Sequence, residues 1–223
     1  MNSPLILIFF EIILLYFVSS KIHKQNGKLL ISLTKNAKIT VWLISLIFFL
    51  GTFVHELSHL LTAQLLGVAT GKMKLTPSID AENLILGSVQ IEKVGGIKRF
   101  LIGVAPFVVG LTFVILLILF LNQTNDLPII ATVAIYYSIF VLTNCMFPSV
   151  ADLKDTKILM TFFFILCIFL IYLSIKINLS VGLLNFLSIG ENAIRFSLYV
   201  DSIILLMLSI ITNANRRATT KRN

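Results

Sequence analysis

A series of apolar runs, each about as long as a lipid bilayer's hydrocarbon core is thick, constrains this chain more than anything else in it. A helix needs about 20 apolar residues to cross that core. Residues 4–20, 39–66, 99–121, 127–147, 157–175 and 194–212 approach or exceed that length. In lipid the backbone must satisfy its own hydrogen bonds, which leaves the helix as the form for such runs. The composition agrees: 57% of residues are hydrophobic and 13% charged, where soluble domains carry about 25% charged residues. The expected fold is an all-α polytopic membrane protein with about six transmembrane helices, forming a single membrane domain over residues 1–223. Residues 177–190 are apolar but short and broken by Asn and Gly, and read as interfacial or re-entrant. The first run lacks a preceding basic region and carries Glu11, so it reads as a retained helix rather than a cleaved signal.

The formal charge of +8 is placed in short segments beside the runs. That is a topology signal, and it gives no reason to expect nucleic acid. Six spans would set both termini on one side, and the segments on that side hold eleven of the 18 Lys and Arg residues. The positive-inside rule then makes both termini cytoplasmic. The tail, with Arg216, Arg217, Lys221 and Arg222, suits anionic lipid. Cys145 and Cys167 lie within expected helices and form no CxxC pair, so both read as small apolar residues. Loop 67–98 is different in kind. Strand-like pieces at 72–76 and 84–92 flank a turn around Pro77 and Asp80, which predicts a β-hairpin after the second helix. Such a hairpin must be membrane-associated and covered, because an open sheet edge is not viable in lipid.

Into this setting the sequence places "HELSH", residues 55–59, toward the cytoplasmic end of the second run. On a helix, i and i+4 share a face, so His55 and His59 can point two imidazoles at one metal ion. Glu56 lies beside the first and can take a proton from water at that metal. This is the H-E-x-x-H arrangement of zinc-dependent hydrolysis. Ionisable groups in a membrane helix cost about 2.5–3.5 kcal/mol each on insertion scales, so they are rare and usually functional. The plainer alternative is a polar helix end with hydrogen-bonded histidines. Catalytic zinc takes three protein ligands and keeps a fourth position open. The fourth run delivers Asp152 and Asp155 to the same end of the membrane, whereas Asp126 falls on the opposite side. Glu11 and Asp201 lie within the first and last runs and suit buried pairs or a cavity lining. Asp152 can also be read, with Ser149, as the N-cap of the fifth helix. In "GVAPFVVG", Gly103, Pro106 and Gly110 fit either a helix packed closely on the HELSH helix or an ordinary kinked span.

HELSH in a membrane helix, with "NCMFPSVADLKD" two helices later, resembles the site-2 protease family of intramembrane zinc metalloproteases. The resemblance spans roughly residues 40–155. It implies a catalytic core over 39–155 (the HELSH helix, loop 67–98 and the third and fourth helices), with 157–223 supplying C-terminal helices and the basic tail. It implies that His55, His59 and Asp152 bind Zn2+, that Glu56 is the general base, and that Asn144 helps hold the substrate strand or the oxyanion. Asp152 is followed by Leu153, where the family has glycine. The expected function is hydrolysis of peptide bonds in or near a transmembrane helix of a membrane-protein substrate, from an active site toward the cytoplasmic side of the bilayer. Two other readings carry the same residues: a non-enzymatic transporter or metal-handling protein, and an inactive relative serving as a partner in a complex.

Overall fold

The computed structural model describes residues 4–80, 83–124, 126–149, 151–153, 156–176 and 180–220. Its elements in chain order are α1 (Pro4–Thr34), α2 (Ala37–Ile47), α3 (Phe49–Leu65), β1 (Thr70–Lys74), β2 (Ser78–Asp80), β3 (Asn83–Ile85), β4 (Ser88–Ile91), α4 (Gly96–Gln123), α5 (Ile129–Cys145), α6 (Lys157–Lys176) and α7 (Val181–Thr220). Local chemistry sets several of these boundaries. Lys35 at φ 51° closes α1. The Asn36 side chain then caps α2 by accepting from the backbone N–H groups of Lys38 and Ile39. The HELSH helix ends in a Schellman motif. Gly67, at φ 67°, donates to Gln64 O, and Val68 donates to Ala63 O. Val68 and Ala63 also pack together in one buried cluster, the apolar contact that accompanies this motif.

Among the described residues, three helices are long and apolar enough to cross a membrane: Leu5–Thr34, Gly96–Gln123 and Leu187–Asn215. The α2–α3 pair makes a fourth if it is counted as one span. The chain is thus a mostly helical membrane protein with a small sheet. The straight second span expected over 39–66 is instead two helices meeting at 73°. Phe48 sits at the break with non-helical dihedrals and a fully buried ring, packed on His23 and Phe140. Hydropathy measures length and not direction, so the break is silent in the sequence. The segment expected to be interfacial at 177–190 also differs: from Val181 it is the first part of α7, a single 40-residue helix.

The β-region is a double hairpin. β1 pairs antiparallel with β4 and β2 with β3, with an irregularity between Thr70 and Met73. Pro77 links β1 to β2 and is not in the turn. Residues 81–82, including Glu82, lie outside the described residues.

α1 and α7 make the most extensive helix contact, and α3 packs between α4 and α5. One buried cluster joins Leu15 and Ile22 of α1, Phe48, Val141 of α5 and Ile194 of α7. Polar links reinforce these apolar seams, as expected where lipid competes for apolar surface. Arg195 of α7 donates from Nε to Glu11 Oε1 of α1 at 3.0 Å and also pairs with Glu191.

Candidate metal centre

α3 presents His55 and His59 one turn apart, on the side where α4 and α5 pack. Each ring is aimed by a backbone carbonyl. His55 Nδ1 donates to Cys145 O at 2.6 Å, and His59 Nδ1 donates to Ile102 O at 2.8 Å. Both carbonyls are free for structural reasons. Cys145 is the last residue of α5, where helix carbonyls lack intrahelical partners. Ile102 lies four residues before Pro106, inside α4, and proline has no N–H to give it. Pro106 therefore supplies an acceptor to His59 by withholding a donor from its own helix. A carbonyl only accepts, so each Nδ1 carries the hydrogen and each neutral ring turns a lone pair inward at Nε2. This is the arrangement metal-ligating histidines use.

Asp152 completes the group from the connection between α5 and α6. Its Oδ1 lies 3.1 Å from His59 Nε2 and its Oδ2 lies 3.5 Å from His55 Nε2. The connection is held in three ways. Ser149 N–H donates to Asp152 Oδ2 at 2.6 Å, and Asp152 N–H donates back to Ser149 Oγ at 3.2 Å. Arg99 donates to Ala151 O at 2.9 Å. Gly103 of α4 lies against the loop so closely that a Cβ there would sit 2.5 Å from Asp152 O. The small residues of "GVAPFVVG" thus receive the Asp152 loop, with Gly110 meeting Met146 in the same way. The Ser149–Asp152 exchange closes a turn and does not cap α6, which begins only at Lys157. Asp155, the other acid expected at this depth, lies outside the described residues.

One ligand atom from each of the three side chains falls within a 4.8 Å group, and the two Nε2 atoms are 3.2 Å apart. Lone pairs converging on an anionic carboxylate repel unless a cation lies among them. Ligands about 2.0–2.1 Å from a tetrahedral zinc stand about 3.3 Å from each other, close to the separations seen. The group can hold a metal ion. The negative end of the α5 dipole also points at this place.

Glu56 is 8% exposed and lines a cavity of about 410 Å³ together with His55, His59 and Asp152. The Leu84–Val89 segment forms another part of its lining. A Cβ at Gly87 would stand 2.8 Å from Glu56 Cγ, so the link between β3 and β4 rests directly on the glutamate. Asn144 also lines the cavity, but its amide nitrogen is committed elsewhere. Nδ2 donates to Phe140 O at 2.8 Å and to both carboxylate oxygens of Asp201 at 3.1 Å. Asp201 is fully buried and also accepts from Thr143 Oγ1 at 3.4 Å. Glu11 and Asp201 are thus placed in separate polar contacts, with Arg195 and Asn144, and neither joins the metal group. The sequence reading passed over His23, which lines the same cavity; its only signal was a third histidine in so apolar a chain.

Comparison with known protein families, with curated proteins and with solved structures returns no match for this chain.

Proposed function

We propose that this protein is an intramembrane zinc endopeptidase of the kind the site-2 proteases represent, acting on transmembrane segments of other membrane proteins. The observation that carries the reading is the convergence of His55, His59 and Asp152 in one cavity with Glu56, the residue beside the first ligand. Two nitrogens and one carboxylate with room for a further ligand suit zinc. His55, His59 and Asp152 would hold the zinc, which would supply Lewis acidity toward a peptide carbonyl and water. Glu56 takes the proton from the attacking water and passes it to the departing amine nitrogen, as a general base and then a general acid. The ring N–H bonds to Cys145 O and Ile102 O keep both imidazoles oriented throughout.

A helical substrate shields its carbonyls, so the cleaved stretch must be extended where it meets the site. β4 pairs with β1 on one side only, and strand addition along the β3–β4 segment would hold such a stretch. Asn144 would help hold it as well. In this reading α5 and α6 complete six spans, with both termini cytoplasmic and the site toward that face.

The test is cleavage of a co-expressed membrane protein together with zinc content. Glu56→Gln should retain zinc and lose cleavage by at least about a hundredfold. His59→Ala and Asp152→Ala should lose both. Wild-type cleavage by Glu56→Gln, or full zinc in Asp152→Ala, would sink the assignment.

A further inference from the structure

This inference rests on the peptidase reading and adds a residue from α1 to its substrate-binding surface. Asn144 and Cys145 end α5, and the final carbonyls of a helix need outside donors. His23 Nε2 donates to Asn144 O at 2.9 Å, and His55 Nδ1 donates to Cys145 O at 2.6 Å. Consecutive carbonyls thus set a ring from α1 beside a ring of the metal group. Ser19 Oγ, one turn before His23, also donates to Asn144 O at 3.3 Å. His23 stacks on Phe48, with ring centroids 4.5 Å apart, and faces the cavity that holds Glu56.

The chemistry of this node has one sign. Because Asn144 O can only accept, Nε2 of His23 carries the hydrogen. The neutral ring therefore offers Nδ1 as an acceptor, and no hydrogen bond from a described residue reaches it. Asn144 offers a second acceptor. Turning its amide over would set Oδ1 against Phe140 O and the Asp201 carboxylate, so the orientation is fixed. Oδ1 is left buried without a partner, a situation that calls for a missing donor.

We propose that His23 is a further substrate-binding residue. Its Nδ1 accepts a backbone N–H from an extended peptide segment lying in the cavity. Asp201 is the positioning residue: it accepts from Asn144 Nδ2, and Asn144 O in turn holds the His23 ring. An oxyanion needs donors and does not fit this wall; amide N–H groups do. The peptide then lies between the Leu84–Val89 segment and the His23 acceptor of α1.

The experiment uses the full-length, zinc-loaded Glu56→Gln protein in lipid nanodiscs. The probe is a fluorescent Leu/Ala transmembrane peptide of about 25 residues with a central Asn-Gly pair, plus analogues in which one central amide N–H at a time is replaced by an ester oxygen. Losing a contacted N–H should weaken binding about tenfold at one position of the series. His23→Ala should weaken the all-amide peptide by a similar factor and erase that ester effect. His23→Asn, which keeps an acceptor, should restore part of the affinity. Asp201→Asn should weaken binding with zinc content unchanged. The proposal is overturned if His23→Ala shifts affinity by less than about twofold, if it weakens every peptide equally with the ester effect intact, or if the all-amide peptide does not bind. A failed peptidase reading shows separately, as a peptide bound in this pattern but never cleaved by protein carrying Glu56.

Discussion

Pro106 acts on the metal group without touching it. Replacing it by alanine supplies an N–H four residues beyond Ile102, which then competes with His59 Nδ1 for the Ile102 carbonyl. An interior proline costs a helix about 3 kcal/mol, so Pro106→Ala should hold or raise the melting temperature. Loss of an outer partner typically weakens metal binding 10–100-fold, so zinc affinity should fall about tenfold or more. A chelator-competition titration beside a thermal melt checks both, and a joint fall would reduce Pro106 to a kink. The offset of four between Ile102 and Pro106 is readable from the sequence. Which donor takes the freed carbonyl is not, because it depends on how α3 lies on α4. HELSH divides in the same way. The shared face of His55 and His59 follows from helix geometry alone, whereas the choice of Asp152 turns on a three-residue turn with Ser149 and a tether from Arg99.

Among the elements, two glycines would separate metal binding from proton transfer under the peptidase reading. Gly103→Ala pushes α4 against Asp152 O and should lower zinc affinity about tenfold, by the same logic of disturbed outer partners. Gly87→Ala instead presses on Glu56 Cγ and on Thr52 Cγ2, 2.9 Å away. It should leave zinc content intact while cutting cleavage by about tenfold, the low end for disturbed acid–base catalysis. Zinc analysis paired with a cleavage assay distinguishes them, and matching losses in both variants would refute the distinction. The need for small residues on α4 was legible as spacing; their partner, a loop and not a helix, was not. Hairpin character in loop 67–98 was legible from its β-branched pieces, but its register was not, since Pro77 falls between two strands and not at the tip. The bend at Phe48 and the length of α7 escaped because hydropathy carries no information on direction and a Gly or Asn does not by itself end a helix.

At the scale of the molecule, α1 and α7 are tied by Arg195 between Glu11 and Glu191. Arg195→Ala leaves two carboxylates without their cation and should lower the melting temperature by a few degrees, with Arg195→Lys lowering it less. Equal melts for wild type and Arg195→Ala would show the pair to be idle. Labelling of single engineered cysteines with an impermeant reagent should place both termini on the cytoplasmic face; opposite faces would break the six-span reading.

The metal ligands also sit far apart along the chain, and that spacing has a meaning in time. Asp152 is made about ninety residues after His59, so at roughly 5–20 residues per second the HELSH helix waits on the order of ten seconds for its third ligand. During that interval two imidazoles and a glutamate must enter the bilayer without Asp152. Under the peptidase reading, metal loading would be a late event of synthesis, and the chain would be inert until Asp152 is made.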